Sequence, residues 1–276
     1  MIRRRFAVLL LALFSVSISQ IAQAAPSAEL WARWAAHDEA SKWTIDHSAW
    51  DDFLRAYVKA SPDGINRVAY SQVTPQDKAR LAAYVQKMQA IPISRYPRAE
   101  QRAYWINLYN ATTVKLILDH YPVESILKIN ISPGLFSRGP WDKKLLRIEG
   151  QEVSLNDIEH RILRPIWNDP RTHYSVNCAS LSCPNLAARA WTAGSLDEML
   201  DAAARAYVSS PRAVSVQDGK LSVSSIYVWY QADFGGSDAG VITHLKQYAA
   251  PALAAQLAGV RKISDDHYDW ALNDAR

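Results

Sequence analysis

Apolar residues recur at helical spacing over 47–60, where Trp50, Phe53, Leu54, Tyr57 and Val58 share one face, and again over 75–91 behind the start signal Thr74-Pro75. A third helix is predicted over 99–119, with Ala103, Ile106, Asn110, Val114 and Ile117 along one side. The pattern then changes. Residues 145–154, with Glu149-Gly150 in the middle, predict a hairpin, and Ser154 with an acid three residues on opens a helix to Leu163. A second hairpin is predicted over 213–223 around Asp218-Gly219, helices over 195–208, 224–232 and 238–256, and a last strand within 262–273. Helices and hairpins in irregular alternation predict an α+β fold, helix-rich and packed on a small antiparallel sheet, rather than a doubly wound parallel sheet.

The first 24 residues follow another logic. Arg3, Arg4 and Arg5 precede an apolar run from Phe6 to about Ile18, and Ala22-Gln23-Ala24 is a small-x-small cleavage site. The run is shorter than the roughly 20 residues that span a bilayer, so a cleaved secretory signal is expected and a mature chain starting at Ala25. No cysteine stands at the cleavage site to take a lipid. The expected location is periplasmic or secreted, with no stable membrane insertion after cleavage. Losing three arginines takes the formal net charge from +4 to +1, which leaves no electrostatic footprint for nucleic acid. The remaining chain, 25–276, reads as one α+β domain with a helical N-terminal part, 25–97, and a core, 98–276. Ten Trp and thirteen Tyr supply a large core and suit a groove for an extended ligand.

Both cysteines lie in one stretch, His173-Tyr-Ser-Val-Asn-Cys178-Ala-Ser-Leu-Ser-Cys183-Pro184. Residues 172–177 read as a strand, the small polar residues after it as a loop, and Leu186 to Trp191 as a helix start; such strand–loop–helix sites mount nucleophiles. Three other uses of the cysteines stay open: a small structural disulfide between Cys178 and Cys183, a metal site with His173 and His160, and a redox pair. The metal spacing fits no common zinc arrangement, and the redox spacing is not C-x-x-C, so neither a metal nor any other cofactor is expected. Asn107 and Asn110, one turn apart, either tie their helix to loop backbone or line a polar substrate site. Asp233-Phe-Gly-Gly236 reads as a helix-ending turn, and Asp269 as either an orienting carboxylate or a partner of an arginine.

Four motifs in order, Tyr104-Trp-Ile-Asn107-Leu-Tyr-Asn110-Ala, Ser154-Leu-Asn-Asp-Ile-Glu159-His160-Arg-Ile-Leu-Arg164, the cysteine stretch from Arg171, and Tyr268-Asp-Trp-Ala-Leu-Asn273, resemble the family known as domain of unknown function 547. The resemblance covers about 98 to 235 and touches the C-terminal motif. It implies a fold related to papain-like and transglutaminase-like thiol enzymes and points to Cys178 as the thiol. A thiol enzyme needs a base and a group to orient it. His173 and His160 are the candidate bases and Glu159 the candidate orienter, although an offset of five along a strand would set His173 and Cys178 on opposite faces. The expected function is an exported thiol-dependent hydrolase or acyl transferase, acting through Cys178 on a small-molecule or peptide-like amide substrate. The alternative is a non-catalytic binding or scaffold domain stapled by Cys178 and Cys183.

Overall fold

A computed structural model describes residues 26–134 and 138–275. The expected signal and its cleavage site lie outside the described residues.

The first helices form where the apolar periodicity sets them: α1 (Ser48–Tyr57), α2 (Pro75–Gln89) and α3 (Arg98–His120). The Thr74 hydroxyl accepts the Asp77 N–H at 3.1 Å and so satisfies a free donor at the start of α2. Every residue of α3 from Gln101 to Val114 is buried. A helix covered on all sides is a central strut, and its polar residues must be paired inside the protein. Arg102 meets Asp169 at 3.0 Å and Thr172 Oγ1 at 3.1 Å.

Strands are short. Between α1 and α2 a minimal pair, β1 (Val58–Lys59) and β2 (Arg67–Val68), runs antiparallel. The expected hairpin is β3 (Leu146–Ile148) with β4 (Gln151–Val153), turned by Glu149 and Gly150 at positive φ of 45° and 80°. The second is β5 (Val214–Gln217) with β6 (Lys220–Ser224), turned by Asp218 and Gly219 at 50° and 73°. The returning strand, β7 (Ile263–His267), pairs with β6 in parallel, so one sheet is mixed.

Several expected elements come out differently. The helix behind Ser154 has its capping box, with Ser154 N–H on Asp157 Oδ2 at 2.8 Å and Asp157 N–H on Ser154 Oγ at 3.1 Å, but Asp157–Leu163 is a wide π turn and only α4 (Arg164–Trp167) is regular α. The strand over 172–177 is instead a 3₁₀ turn, Pro170–Tyr174, opened by Asp169 accepting the Arg171 N–H at 2.9 Å. Its residues are buried without alternation, and Arg171 is pinned by Asp169, Asp197 and Asp201. No helix forms over Leu186–Trp191, because the backbone of Trp191 is claimed by Asn107, which accepts its N–H at 3.0 Å and donates to its carbonyl at 2.7 Å.

Later elements are α5 (Leu196–Val208), α6 (Ser225–Trp229), α7 (Asp238–Tyr248) and α8 (Pro251–Leu257). The single helix expected over 238–256 is two, because Pro251 cannot donate into a continuing helix and disfavours the helical angle before it. Two apolar clusters result. One gathers α1, α2, α3, the β3–β4 hairpin and Leu155, Ile158, Ile162 and Leu163; the other gathers Tyr174, Tyr207, β5, β6 and α7. The cysteine loop lies between Tyr174 of the second and Leu186 of the first.

Candidate functional site

The loop that carries both cysteines is held from three directions. From α3, Asn110 donates to the Ser175 carbonyl and accepts the Asn177 N–H, each at 2.8 Å. From within, Asn177 accepts the Ala179 N–H at 2.8 Å and donates to the Pro184 carbonyl at 2.7 Å, which lets Ala179 take a left-handed φ of 59°. From the C-terminal segment, Ala271 accepts Leu181 N–H at 2.8 Å, Ala179 accepts Asn273 N–H at 3.1 Å, and Ser182 Oγ accepts Asp269 N–H at 2.7 Å. Asn107 and Asn110, 0% and 2% exposed, therefore tie their helix to loop backbone through their amides. Asp269 accepts the Ala271 N–H at 2.8 Å and shapes a turn.

This scaffold brings the sulfurs of Cys178 and Cys183 to 2.6 Å, outside the roughly 2.05 Å of a disulfide bond, and both thiols are free. Cys178 is half-buried and Cys183 buried. The Cys178 sulfur also meets Tyr268 Oη at 3.1 Å and Ser180 Oγ at 3.3 Å, while the Cys178 N–H donates to the Cys183 sulfur at 2.9 Å. The two sulfurs are close enough for the protonation of one to affect that of the other. Burial and the neighbouring Cys183 push the Cys178 thiol up, and although burial also works against a Cys183 thiolate, its hydrogen bonds from Cys178 and Tyr268 outweigh that and bring it down. Of the two thiols, Cys183 is the easier to deprotonate. The Tyr268 phenol is raised by burial and by the two sulfurs.

Among the described residues, no imidazole or carboxylate hydrogen-bonds either sulfur. The expected base and orienter stand in a separate ionic cluster. His173 Nε2 meets Asp233 Oδ2 at 2.7 Å, whereas its Nδ1 lies 3.8 Å from Glu159. Glu159 is the expected orienter, whereas the geometry gives the hydrogen bond to Asp233, 60 residues downstream of His173 and expected only as part of a helix-ending turn. Arg164 clamps Asp233 at 2.6 and 3.1 Å and donates to His160 Nδ1 at 3.0 Å. Burial works against the Asp233 charge, yet the bonds from His173 and Arg164 hold its carboxyl far below the usual range. Burial and the Arg164 charge bring His160 down to about 4, against the pull of Glu159, so it is neutral at pH 7 and supports Arg164 rather than Cys178.

Tyr230 joins the two neighbourhoods. Its ring stacks on His173 with centroids 4.4 Å apart, and its phenol is raised by burial and then by Glu159, with both sulfurs adding to the effect. Next to it, Trp229 packs on Tyr268 at 4.8 Å and on Trp270 at 5.8 Å, and Trp270 meets Trp141 at 5.7 Å, making a half-buried aromatic wall beside Cys178. Tyr230 and Trp229 were not singled out from the sequence, and Tyr268 appeared only within a motif; their spacing along the chain carries no periodic signal. No group of three or more metal-ligating side chains gathers among the described residues, and His173 does not join the two cysteines.

No curated protein and no solved structure matches the chain. The expected resemblance to about residue 235 is narrower as a family match, leaving Asp233 and Tyr268 outside it. Residues 93–208, which include α3, the β3–β4 hairpin, the π turn, both cysteines and α5, match the model of the family described as "Protein of unknown function, DUF547", and that is the family to which this chain is similar.

Proposed function

We propose that the protein is an exported thiol-dependent hydrolase or acyl transferase whose reacting sulfur is Cys178. The observation that carries the reading is the sulfur pair: a half-buried thiol, presented by a loop fixed on three sides, with a second sulfur 2.6 Å away to hold its proton. When Cys183 is the thiolate, passing that proton to it frees the Cys178 thiolate to attack an acyl carbon. The C–S bond forms, the tetrahedral oxyanion takes hydrogen bonds from the Ser180 and Tyr268 hydroxyls, and the C–N bond breaks as Cys183 returns the proton to the departing amine. Water then cleaves the thioester, giving the acid and returning a proton to the pair; an acceptor amine in place of water gives transfer. Kinship with papain-like and transglutaminase-like enzymes belongs to the same proposal, supported by a carboxylate-held imidazole in the layer next to the thiol. Export is supported by the leader pattern at the N-terminus.

One observation favours a second reading: sulfurs this close need little movement to bond, which would make the loop a stapled scaffold without chemistry. Alkylation of protein isolated without reductant, followed by mass spectrometry across pH 5 to 9, separates the two readings. Labelling of Cys178 in the folded protein, with loss of acyl transfer or hydrolysis in Cys178→Ser against a panel of peptide amides, is the expected result. Labelling only after denaturation and reduction would sink the enzyme and leave the scaffold.

A further inference from the structure

The two sulfurs differ in what can reach them. Cys178 is half-buried beside the aromatic wall, whereas Cys183 is 5% exposed. A reagent from solvent meets Cys178 first, and finds Cys183 in contact with it at 2.6 Å. The partners of the pair are the Ser180 and Tyr268 hydroxyls and one backbone N–H, with no imidazole or carboxylate bonded to either sulfur among the described residues. Exchange between sulfurs needs no such group, only a second thiol within reach.

The spacing of the cysteines is not C-x-x-C, and the fold makes up for it. Asn177 holds the Ala179 N–H at 2.8 Å and the Pro184 carbonyl at 2.7 Å, so the chain doubles back between the cysteines through the left-handed Ala179. The Cys183 N–H donates to the Ser180 carbonyl at 3.2 Å and closes the loop. From the 2.6 Å contact, a disulfide of roughly 2.05 Å needs a side-chain movement of only about half an ångström. The Cys178 N–H, 2.9 Å from the Cys183 sulfur, favours an anion there, and Cys183 is the easier of the two to deprotonate. A resolving thiol needs that property, because it must attack as a thiolate.

We propose that Cys178 and Cys183 form a dithiol–disulfide couple that exchanges with small disulfides, Cys178 as the attacking sulfur and Cys183 as the resolving one. The Cys178 thiolate, its proton passed to Cys183, attacks one sulfur of the incoming disulfide. A bond from Cys178 to that sulfur forms, and the other half leaves as a thiolate that takes the proton from Cys183. The Cys183 thiolate then attacks the Cys178 sulfur, the Cys178–Cys183 bond forms, and the second half leaves as a thiolate. Two electrons pass from the pair to the incoming disulfide. The oxidised pair has no thiolate for an acyl carbon, so the couple also turns off the acyl chemistry proposed above. It rests on Cys178 being the reactive sulfur and not on that chemistry.

The test incubates the reduced full chain with oxidised glutathione and reads the products by mass spectrometry. The folded protein is expected to lose two hydrogens by joining its own sulfurs, and dithiothreitol to restore both thiols without denaturant, a readout that needs no variant to fold. In Cys183→Ser the exchange stops halfway, with glutathione held on Cys178 on the order of a hundredfold longer than in the unsubstituted protein. A glutathione adduct that persists on Cys178 of the unsubstituted protein, or no reaction at either sulfur, overturns the couple. A bond that opens only after denaturation overturns it too and leaves a staple. Amide turnover by a protein that forms no disulfide overturns the couple alone; disulfide cycling without turnover of any amide in the panel overturns the acyl reading alone.

Discussion

The sulfur loop and the ionic cluster lie side by side and are built on opposite principles. Around Cys178 and Cys183 the partners are neutral: two hydroxyls, a backbone N–H and each other. Around Asp233 the partners are charged or ionisable: Arg164, itself 6% exposed, and His173, 3% exposed. The first arrangement leaves a proton free to move between like atoms. The second spends its charges on one another, so it holds geometry. Tyr230 stacks on the imidazole of the second region, and its neighbour Trp229 packs on Tyr268, whose hydroxyl touches the Cys178 sulfur of the first.

The comparison breaks most sharply at the sulfurs. Cys178→Ser is expected to lower turnover by at least about a thousandfold, since a hydroxyl in place of the thiol has no partner able to take its proton. Cys183→Ser should cost less and move the pH dependence of Cys178 alkylation, because the proton partner goes but the attacking atom stays. Equal effects of both variants on rate would end the division of roles.

The ionic side breaks at Arg164. Arg164→Met leaves Asp233 with His173 alone and uncovers the Pro26 carbonyl that Arg164 holds at 2.7 Å. Losing one partner of a buried pair costs about 3–5 kcal/mol, to be read by urea unfolding, and thiol alkylation of the folded fraction should change little.

Asn107 and Asn110 sharpen the contrast, since each ties α3 to backbone by two bonds. Asn107→Ala and Asn110→Ala should each cost about 2–4 kcal/mol by leaving a buried N–H and a carbonyl unpaired. Only Asn110→Ala is expected to alter the alkylation rate of Cys178, because only its bonds hold the cysteine loop. Similar rates in both variants would show that the loop is set from the C-terminal side.

Acid probes the two regions differently. His47, His160 and His244 are each brought down to about 4 by burial. A histidine that stays neutral when folded takes up a proton on unfolding between its folded value and 6.5, so stability is full above 6.5 and falls with pH towards 4. Each should cost about 2 kcal/mol between pH 7 and 5. His160→Gln should flatten that slope by one histidine's share without changing thiol reactivity. On stability the smallest effect is expected from Tyr268→Phe, about 1 kcal/mol, with faster Cys178 alkylation if the phenol restrains the sulfur.

Much of this was legible from local signals. Periodicity located α1, α2 and α3, dipeptides with positive φ located both hairpin turns, and the Ser154 cap located the start of the segment that carries Glu159 and His160. The misreadings share a cause. The apparent strand before Cys178 is a 3₁₀ turn because Asp169 takes Arg102 from α3 and Arg171 takes Asp197 and Asp201 from α5, which no window along the chain contains. The apparent helix at 186–191 fails because Asn107, 84 residues away, claims its backbone.

The candidate site follows the same division. The chain itself determined that both thiols sit five residues apart in one loop, that two asparagines lie on the inner helix, and that Glu159, His160 and Arg164 come in one segment. Tertiary structure alone decided that the sulfurs face each other, that Asp233 rather than Glu159 takes His173, and that Tyr230 and Tyr268 close the space between. Local structure follows from interactions a few residues long, which spacing records. Hydrogen bonds and ion pairs across 60 to 90 residues depend on how buried surfaces meet, and spacing along the chain does not record that.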